Sequence, residues 1–471
     1  MNTKVIAVVI VAIIVVGAAV GIAITMNNGN NSSSDAGKRV GEALAKADFP
    51  NADSRLWVYG NANEDDKLDD SDVTALEKMV SGDRKATQLA DTNVDGKIDS
   101  ADVSYLKDIL NAKKDTKINV YYVDNYFKIA KVSWPVKTFA TSYCSGMYTA
   151  ETTGLMDKIA MVDDTIQKYW AKLNSNAAKA TSFGTTDKPN YELMIEKGIS
   201  VYVPGYCDGN ADKESQEKLN PIGIDVMFMN TCDNDGVKMT NEYIDRSIVM
   251  FGFLLQGDMT QTYEYLAWHD GVIKAVEDAA KTIPASEKGA LIMSRSAPSW
   301  DTDGKYSLTG KGNTNMIHAD WAGCYVVSDH TSKLPNNYNN LPAEDIATVL
   351  KEIKDAGKTV LYWIDNEHDG LRGQYDLDVT VKSWYELLLP FEEESPAINY
   401  MGMAREAGNS PLYIVEMVFY MNVMHPDIDI GMTYDEVFNY WIQNFTQETS
   451  KYTSQMDMDN FFINYGIDPW A

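Results

Sequence analysis

Two twelve-residue stretches of this chain repeat one another thirty positions apart, and their pattern restricts local folding more than any other feature. The first runs Asn61-Ala62-Asn63-Glu64-Asp65-Asp66-Lys67-Leu68-Asp69-Asp70-Ser71-Asp72, and the second Asp91-Thr92-Asn93-Val94-Asp95-Gly96-Lys97-Ile98-Asp99-Ser100-Ala101-Asp102. Calcium takes six to eight oxygens from a loop of this length, through positions 1, 3, 5, 7, 9 and 12. In the first copy these are Asn61, Asn63, Asp65, the carbonyl of Lys67, Asp69 and Asp72. In the second they are Asp91, Asn93, Asp95, the carbonyl of Lys97, Asp99 and Asp102. Leu68 and Ile98 hold position 8, where an inward apolar side chain lets two loops pair. Each loop leads into a helical pattern, Val73-Leu76-Val80 and Val103-Leu106-Leu110. Two calcium sites are expected. Without the ion the clustered carboxylates repel, so metal binding should supply most of the module's folding free energy.

This pair resembles a type I dockerin over about Leu56 to Leu110, because position 12 is Asp and no separate entering helix precedes the second loop. The resemblance implies a cohesin-like surface protein as partner for a module spanning residues 56–112. Two departures mark the first loop. Asn61 removes a charge, and Asp66 stands where glycine usually makes the sharp turn, so the first site is expected to be the weaker one.

Val5 to Ile24 are consecutive uncharged residues, and as a helix they would span about 30 Å, the thickness of a bilayer's hydrocarbon core. Lys4 precedes them and the next basic residue is Lys38, which places the chain after Met26 outside the cell. A cleaved signal peptide is the alternative, with a normally shorter apolar region. Residues 1–26 are thus expected to form a single-pass membrane anchor and residues 27–55 a polar tether. Lys and Arg number 41 against 68 Asp and Glu, a formal charge of −27. Such a chain repels a phosphate backbone, which argues against nucleic-acid binding. Cys144, Cys207, Cys232 and Cys324 are widely spaced, and leave both disulfide pairing and buried thiols open.

From Lys117 the pattern changes to alternating strands and helices, which predicts an α/β fold with largely parallel sheets. Residues 117–240 form one lobe and 289–471 a second. Residues 241–282 supply bridging helices, the longer running from Asp258 to about Lys281. Met259, Tyr263, Leu266, Ile273, Val276 and Ala280 mark its expected apolar face.

This body resembles the substrate-binding proteins of ABC importers that take iron chelates, haem or cobalamin. The segments carrying the resemblance are Trp134-Pro135-Val136-Lys137, the run from Thr149 to Val162, Lys188-Pro189-Asn190-Tyr191-Glu192, and Met424-His425-Pro426. It implies two βα lobes joined by a long helix, with an iron chelate, haem or corrinoid held in the cleft between them. It also implies that Glu192 and Glu344, one on each lobe, dock onto an ABC permease. The strand ends, where ligands bind in such folds, offer Tyr143, Tyr206, Trp300 and Trp363 as aromatic contacts. Arg295 and Arg405 are candidates to pair with an anionic ligand group. No nucleophile elbow, phosphate loop or His-Glu-x-x-His occurs, so an enzyme is not expected. The competing reading is a calcium-dependent structural or adhesion protein that acts through the dockerin-like module.

Overall fold

A computed structural model of the chain describes residues 54–112, 116–205, 209–229, 231, 241–295, 303–366, 377–456 and 461–470. The expected membrane segment Val5–Ile24 and the tether up to residue 53 lie outside them. Among the described residues no helix is long and apolar enough to cross a membrane. The chain forms two compact units, one ending at Tyr263 and the other beginning at Glu264. The repeated loops and the first lobe share the former.

Each loop ends in a helix, α1 (Asp70–Ser81) and α2 (Ser100–Leu110). Asp69 and Asp99 cap these helices, and Asp72 and Asp102 return a bond to the cap amide, so each boundary is a reciprocal capping box. An antiparallel hairpin follows, β1 (Ile118–Val123) on β2 (Ile129–Trp134). Then come β3 (Phe139–Thr141), α3 (Tyr143–Thr152), β4 (Ile159–Val162), β5 (Thr181–Ser182) and α4 (Tyr191–Lys197). The remainder of this lobe is β6 (Val201–Val203), α5 (Gly209–Leu219), β7 (Asp225–Val226) and α6 (Asn241–Leu254). The sheet order is β5-β4-β3-β6-β7, and every pairing is parallel. All residues of β3 and β6 are buried, as expected for strands covered on both faces.

Helix α7 (Met259–Ala280) contains the boundary between the units. Its 22 residues make it about 33 Å long. The expected apolar face is displaced. Tyr265, Leu266, Trp268, Val272 and Val276 are buried, whereas Met259 and Ile273 are only partly so. The cause is aromatic packing: Trp268 stacks on Tyr440 at 5.0 Å, and Tyr265 meets Phe445 edge-on at 5.4 Å.

The second unit continues with β8 (Ala290–Ser294), β9 (Lys305–Thr309), α8 (Thr314–Trp321), β10 (Tyr325–Val326), β11 (Tyr338–Pro342), α9 (Ala343–Asp355) and β12 (Val360–Asp365). It ends with α10 (Leu377–Leu388), β13 (Ala397–Met403), α11 (Tyr413–Met424), α12 (Tyr434–Phe445) and β14 (Phe462–Ile467). Its sheet runs β11-β9-β8-β12-β13-β14, with β10 also paired to β8. The centre is parallel, but β9, β11 and β14 join antiparallel, so the expectation of a largely parallel sheet holds only at the centre of this unit. Helix α9 shows why this layer holds. Ile346, Val349, Leu350 and Ile353 recur on one face and are buried. Each such side chain contributes about 1.5–3 kcal/mol relative to exposure.

Candidate functional site

In the first lobe the carboxyl ends of β3, β4 and β6 are locked together. Tyr143, which opens α3 after β3, has φ 63°, the left-handed region that a bulky residue occupies only against strain. The lobe holds it there through its neighbours. The Gly205 amide donates to Ser142 Oγ at 2.8 Å, Ser145 Oγ donates to the Gly205 carbonyl at 2.5 Å, and Thr141 Oγ1 donates to the Val203 carbonyl at 3.0 Å. A Cβ on Gly205 would lie 2.1 Å from the Ser142 carbonyl oxygen, so only glycine permits this approach. The Tyr143 ring is half-buried and meets Trp170 edge-on at 5.8 Å.

Asp163, at the end of β4, is the residue that sequence reasoning missed. It is fully buried and accepts from the Ile166 amide and Thr186 Oγ1, both at 2.9 Å, and also from the Tyr143 amide. Burial pushes its carboxyl above the usual range, and these hydrogen bonds oppose the rise. Asp163 positions the strained turn. Its signal in sequence was a carboxylate directly after a parallel strand, a signal submerged in so acidic a chain.

The second unit presents β8, β12 and β13 in the same way. Arg295, just past β8, is exposed, and its guanidinium lies 3.8 Å from the Tyr338 ring centre. Asp365, at the end of β12, is fully buried and accepts from Trp384 Nε1 at 3.1 Å. Arg405 opens a short helix, Arg405–Gly408, directly after β13 and Ala404. Trp363 corrects the sequence reading. It is fully buried and packs on Trp384 at 4.8 Å, because its register on β12 turns it into the core with Leu361. It supplies packing, not a ligand-facing ring. Tyr206 and Trp300 lie outside the described residues. Glu192 and Glu344 are both exposed in the first turns of α4 and α9, where helix-terminal amides favour a carboxylate.

The repeated loops have related but unequal internal bonding. In the second, Asp91 accepts from the amides of Asp95 and Gly96, at 3.1 and 2.9 Å, and Gly96 takes φ 88°. In the first, Asn61 instead donates to the carbonyls of Leu56 and Asp65, at 2.7 and 2.6 Å. Its own Oδ1 is buried without a hydrogen-bond partner. Asp66 is tied to the Arg55 guanidinium at 2.6 Å. Asp72, Asp91 and Asp102 are all fully buried, and burial raises their carboxyls, Asp72 and Asp91 to about 6. Among the described residues no three His, Cys, Asp or Glu side chains converge on one metal position. The donor set is a mixture of carboxylates, Asn oxygens and main-chain carbonyls. Buried carboxylates without a basic partner among the described residues, beside an orphaned Asn oxygen, suit a hard cation.

No family model and no curated protein matches the chain. Solved structures do. The TroA-like periplasmic binding protein FepB of Veillonella parvula is similar at 12% identity and TM-score 0.51, over 69% of this chain and 96% of that one. The molybdate-bound periplasmic binding protein MolA of Haemophilus influenzae matches at 13% and 0.50, over 70% and 98%. Helicobacter pylori CeuE in its Ni-His complex matches at 11% and 0.50, over 73% and 100%. The likeness is one of fold: a mixed α/β chain built like the periplasmic solute-binding proteins of ABC transport. These neighbours are binding proteins, not enzymes.

Proposed function

We propose that the chain captures a small metal-containing ligand, an iron chelate, haem or corrinoid, at the carboxyl ends of its parallel strands and passes it to an ABC permease. The observation that carries this reading is Tyr143, a half-buried aromatic side chain kept in a strained conformation by Asp163, Ser142 and Gly205. Strain maintained by so many neighbours is characteristic of a ligand-handling turn. The neighbours' ligands, molybdate and nickel with histidine, support a metal-bearing cargo. Arg295, already stacked on Tyr338, offers a cation to an acidic group of that cargo, and Arg405 follows a second strand of the same sheet. Glu192 and Glu344 are the permease contacts, a role their exposure supports. Val5–Ile24 keeps the receptor at the outer face of the membrane, where tethering raises its effective concentration near the permease.

The repeated loops hold two calcium ions in this reading. When bound, calcium supplies positive charge that neutralises Asp72, Asp91 and Asp102, and Asn61 Oδ1 gains a partner. The exposed sides of α1 and α2 remain available to a cohesin-like protein.

Uptake of radiolabelled cobalamin, haem or ferric chelate by cells carrying the E192Q/E344Q chain tests the delivery step. Ligand capture should persist and uptake should fall to the level of cells lacking the protein. Undiminished uptake would remove the docking role.

A further inference from the structure

The repeated-loop module is bonded into the first lobe by the segment that leads into its first loop. Leu56, Val58 and Tyr59 are fully buried. Val58 bridges to Tyr122, the Tyr59 amide donates to the Tyr121 carbonyl at 2.9 Å, and the Val123 amide donates to the Trp57 carbonyl at 3.0 Å. Residues 57–59 therefore pair with β1 through an isolated antiparallel bridge and its flanking hydrogen bonds. On the other side, the Gly60 amide donates to the Leu89 carbonyl at 2.7 Å, two residues before the second loop begins. Gly60 takes φ 106°, and a Cβ there would lie 3.0 Å from Leu106 Cδ1 of α2. The lead-in segment is thus clamped between the module and the lobe.

Four further contacts extend the joint. Trp57 lies under the buried Arg246 guanidinium of α6 at 3.7 Å, and Arg246 Nη2 donates to Asn125 Oδ1 at 3.1 Å in the β1–β2 turn. Lys67, whose carbonyl is the seventh position of the first loop, extends its ammonium over the Tyr263 ring of α7 at 5.3 Å. Tyr105 of α2 donates to the Asn119 carbonyl of β1 at 2.9 Å.

We infer that calcium is a structural ion of the first lobe, with its occupancy of the repeated loops transmitted through residues 56–60 and the Lys67–Tyr263 contact to β1, α6 and the start of α7. This rests on the calcium reading above. An ion that binds only the ordered loops stabilises whatever must be ordered with them, and residues 56–60 are ordered with both the loops and the lobe. A module hung on a flexible linker would confine the gain to itself.

Hydrogen–deuterium exchange of the full-length chain, in chelator and then in saturating calcium chloride, tests the inference, with bound calcium counted by equilibrium dialysis. Calcium should slow exchange by at least about tenfold at protected amides of residues 118–134 and 244–263, as well as within 61–110. Calcium bound, with slowing confined to 61–110, would overturn the inference while leaving the calcium reading intact. Calcium not bound would overturn both. In Tyr263→Leu, bound calcium should be unchanged and the slowing at 259–263 lost; retained slowing there would remove Tyr263 from the route.

Discussion

The Arg246 guanidinium lies 3.7 Å from the centre of the Trp57 ring, and both side chains are buried. A cation this far from water needs partners, and here an indole face and the Asn125 carbonyl oxygen are among them. The pair fastens the segment ahead of the first repeated loop to helix α6.

Trp57→Ala should therefore cost about 3–5 kcal/mol, the range for removing a large buried aromatic side chain. Urea denaturation of the calcium-loaded chain, followed by circular dichroism, measures it. A loss below about 1 kcal/mol would mean that the joint contributes little.

The same turn predicts a pH dependence. Asp124 accepts from the amides of Tyr126 and Lys128, both at 2.9 Å, yet burial pushes its carboxyl up to about 6. A carboxyl raised on folding favours the folded state while protonated, and that contribution is lost as pH rises from its unfolded value near 3.8 through about 6. Asp124→Asn keeps an acceptor and removes the titration, so stability should fall less over this window than in the unaltered chain. Identical pH profiles would show that Asp124 is ionised without penalty.

Strain at Tyr143 is separable from its ring. Tyr143→Gly and Tyr143→Ala both delete the ring, but only glycine relaxes φ 63°. The glycine variant should be more stable than the alanine variant by about 1 kcal/mol, and both should bind ligand at least about tenfold more weakly. Thermal melts and titrations read the two effects. Equal melting temperatures would show that the turn is unstrained.

Trp363 should behave in the opposite way. Trp363→Ala removes a fully buried side chain packed on Trp384, so stability should fall by about 3–5 kcal/mol. Ligand affinity of the folded fraction should not change. A selective loss of affinity would return Trp363 to the binding surface.

Much of this architecture was legible because local signals agreed with tertiary packing. Tyr191–Lys197 and Tyr434–Phe445 are helices whose starts are marked in the sequence, each with an N-cap side chain bonded to a first-turn amide. The hairpin from Ile118 returns on a strand that starts at Ile129. What escaped notice depends on distant partners. Strand β9, Lys-Tyr-Ser-Leu-Thr, carries only two apolar residues and is held as a strand by Arg295, Asn339 and Tyr338 alongside it. Leu341 stays in β11 rather than joining α9, since Pro342 keeps the residue before it extended. Ser410 Oγ accepts from the Leu412 amide, yet helical structure begins only at Tyr413. At the candidate site, the strand ends themselves could be found from sequence. Trp363 was misread because its residue type suggests a ligand contact, whereas the strand's period-two alternation turns it into the core. Asp163 was not assigned a role because that role is to hold another residue's backbone, which no spacing pattern reveals.

The central claim is capture of a metal-bearing organic ligand. Native mass spectrometry of the full-length chain, released from detergent after exposure to haem, cobalamin and ferric chelates in turn, tests it most directly. A one-to-one complex with at least one of these is expected, weakened in Tyr143→Ala. A chain that retains none of them at concentrations well above those of ordinary binding proteins would contradict it.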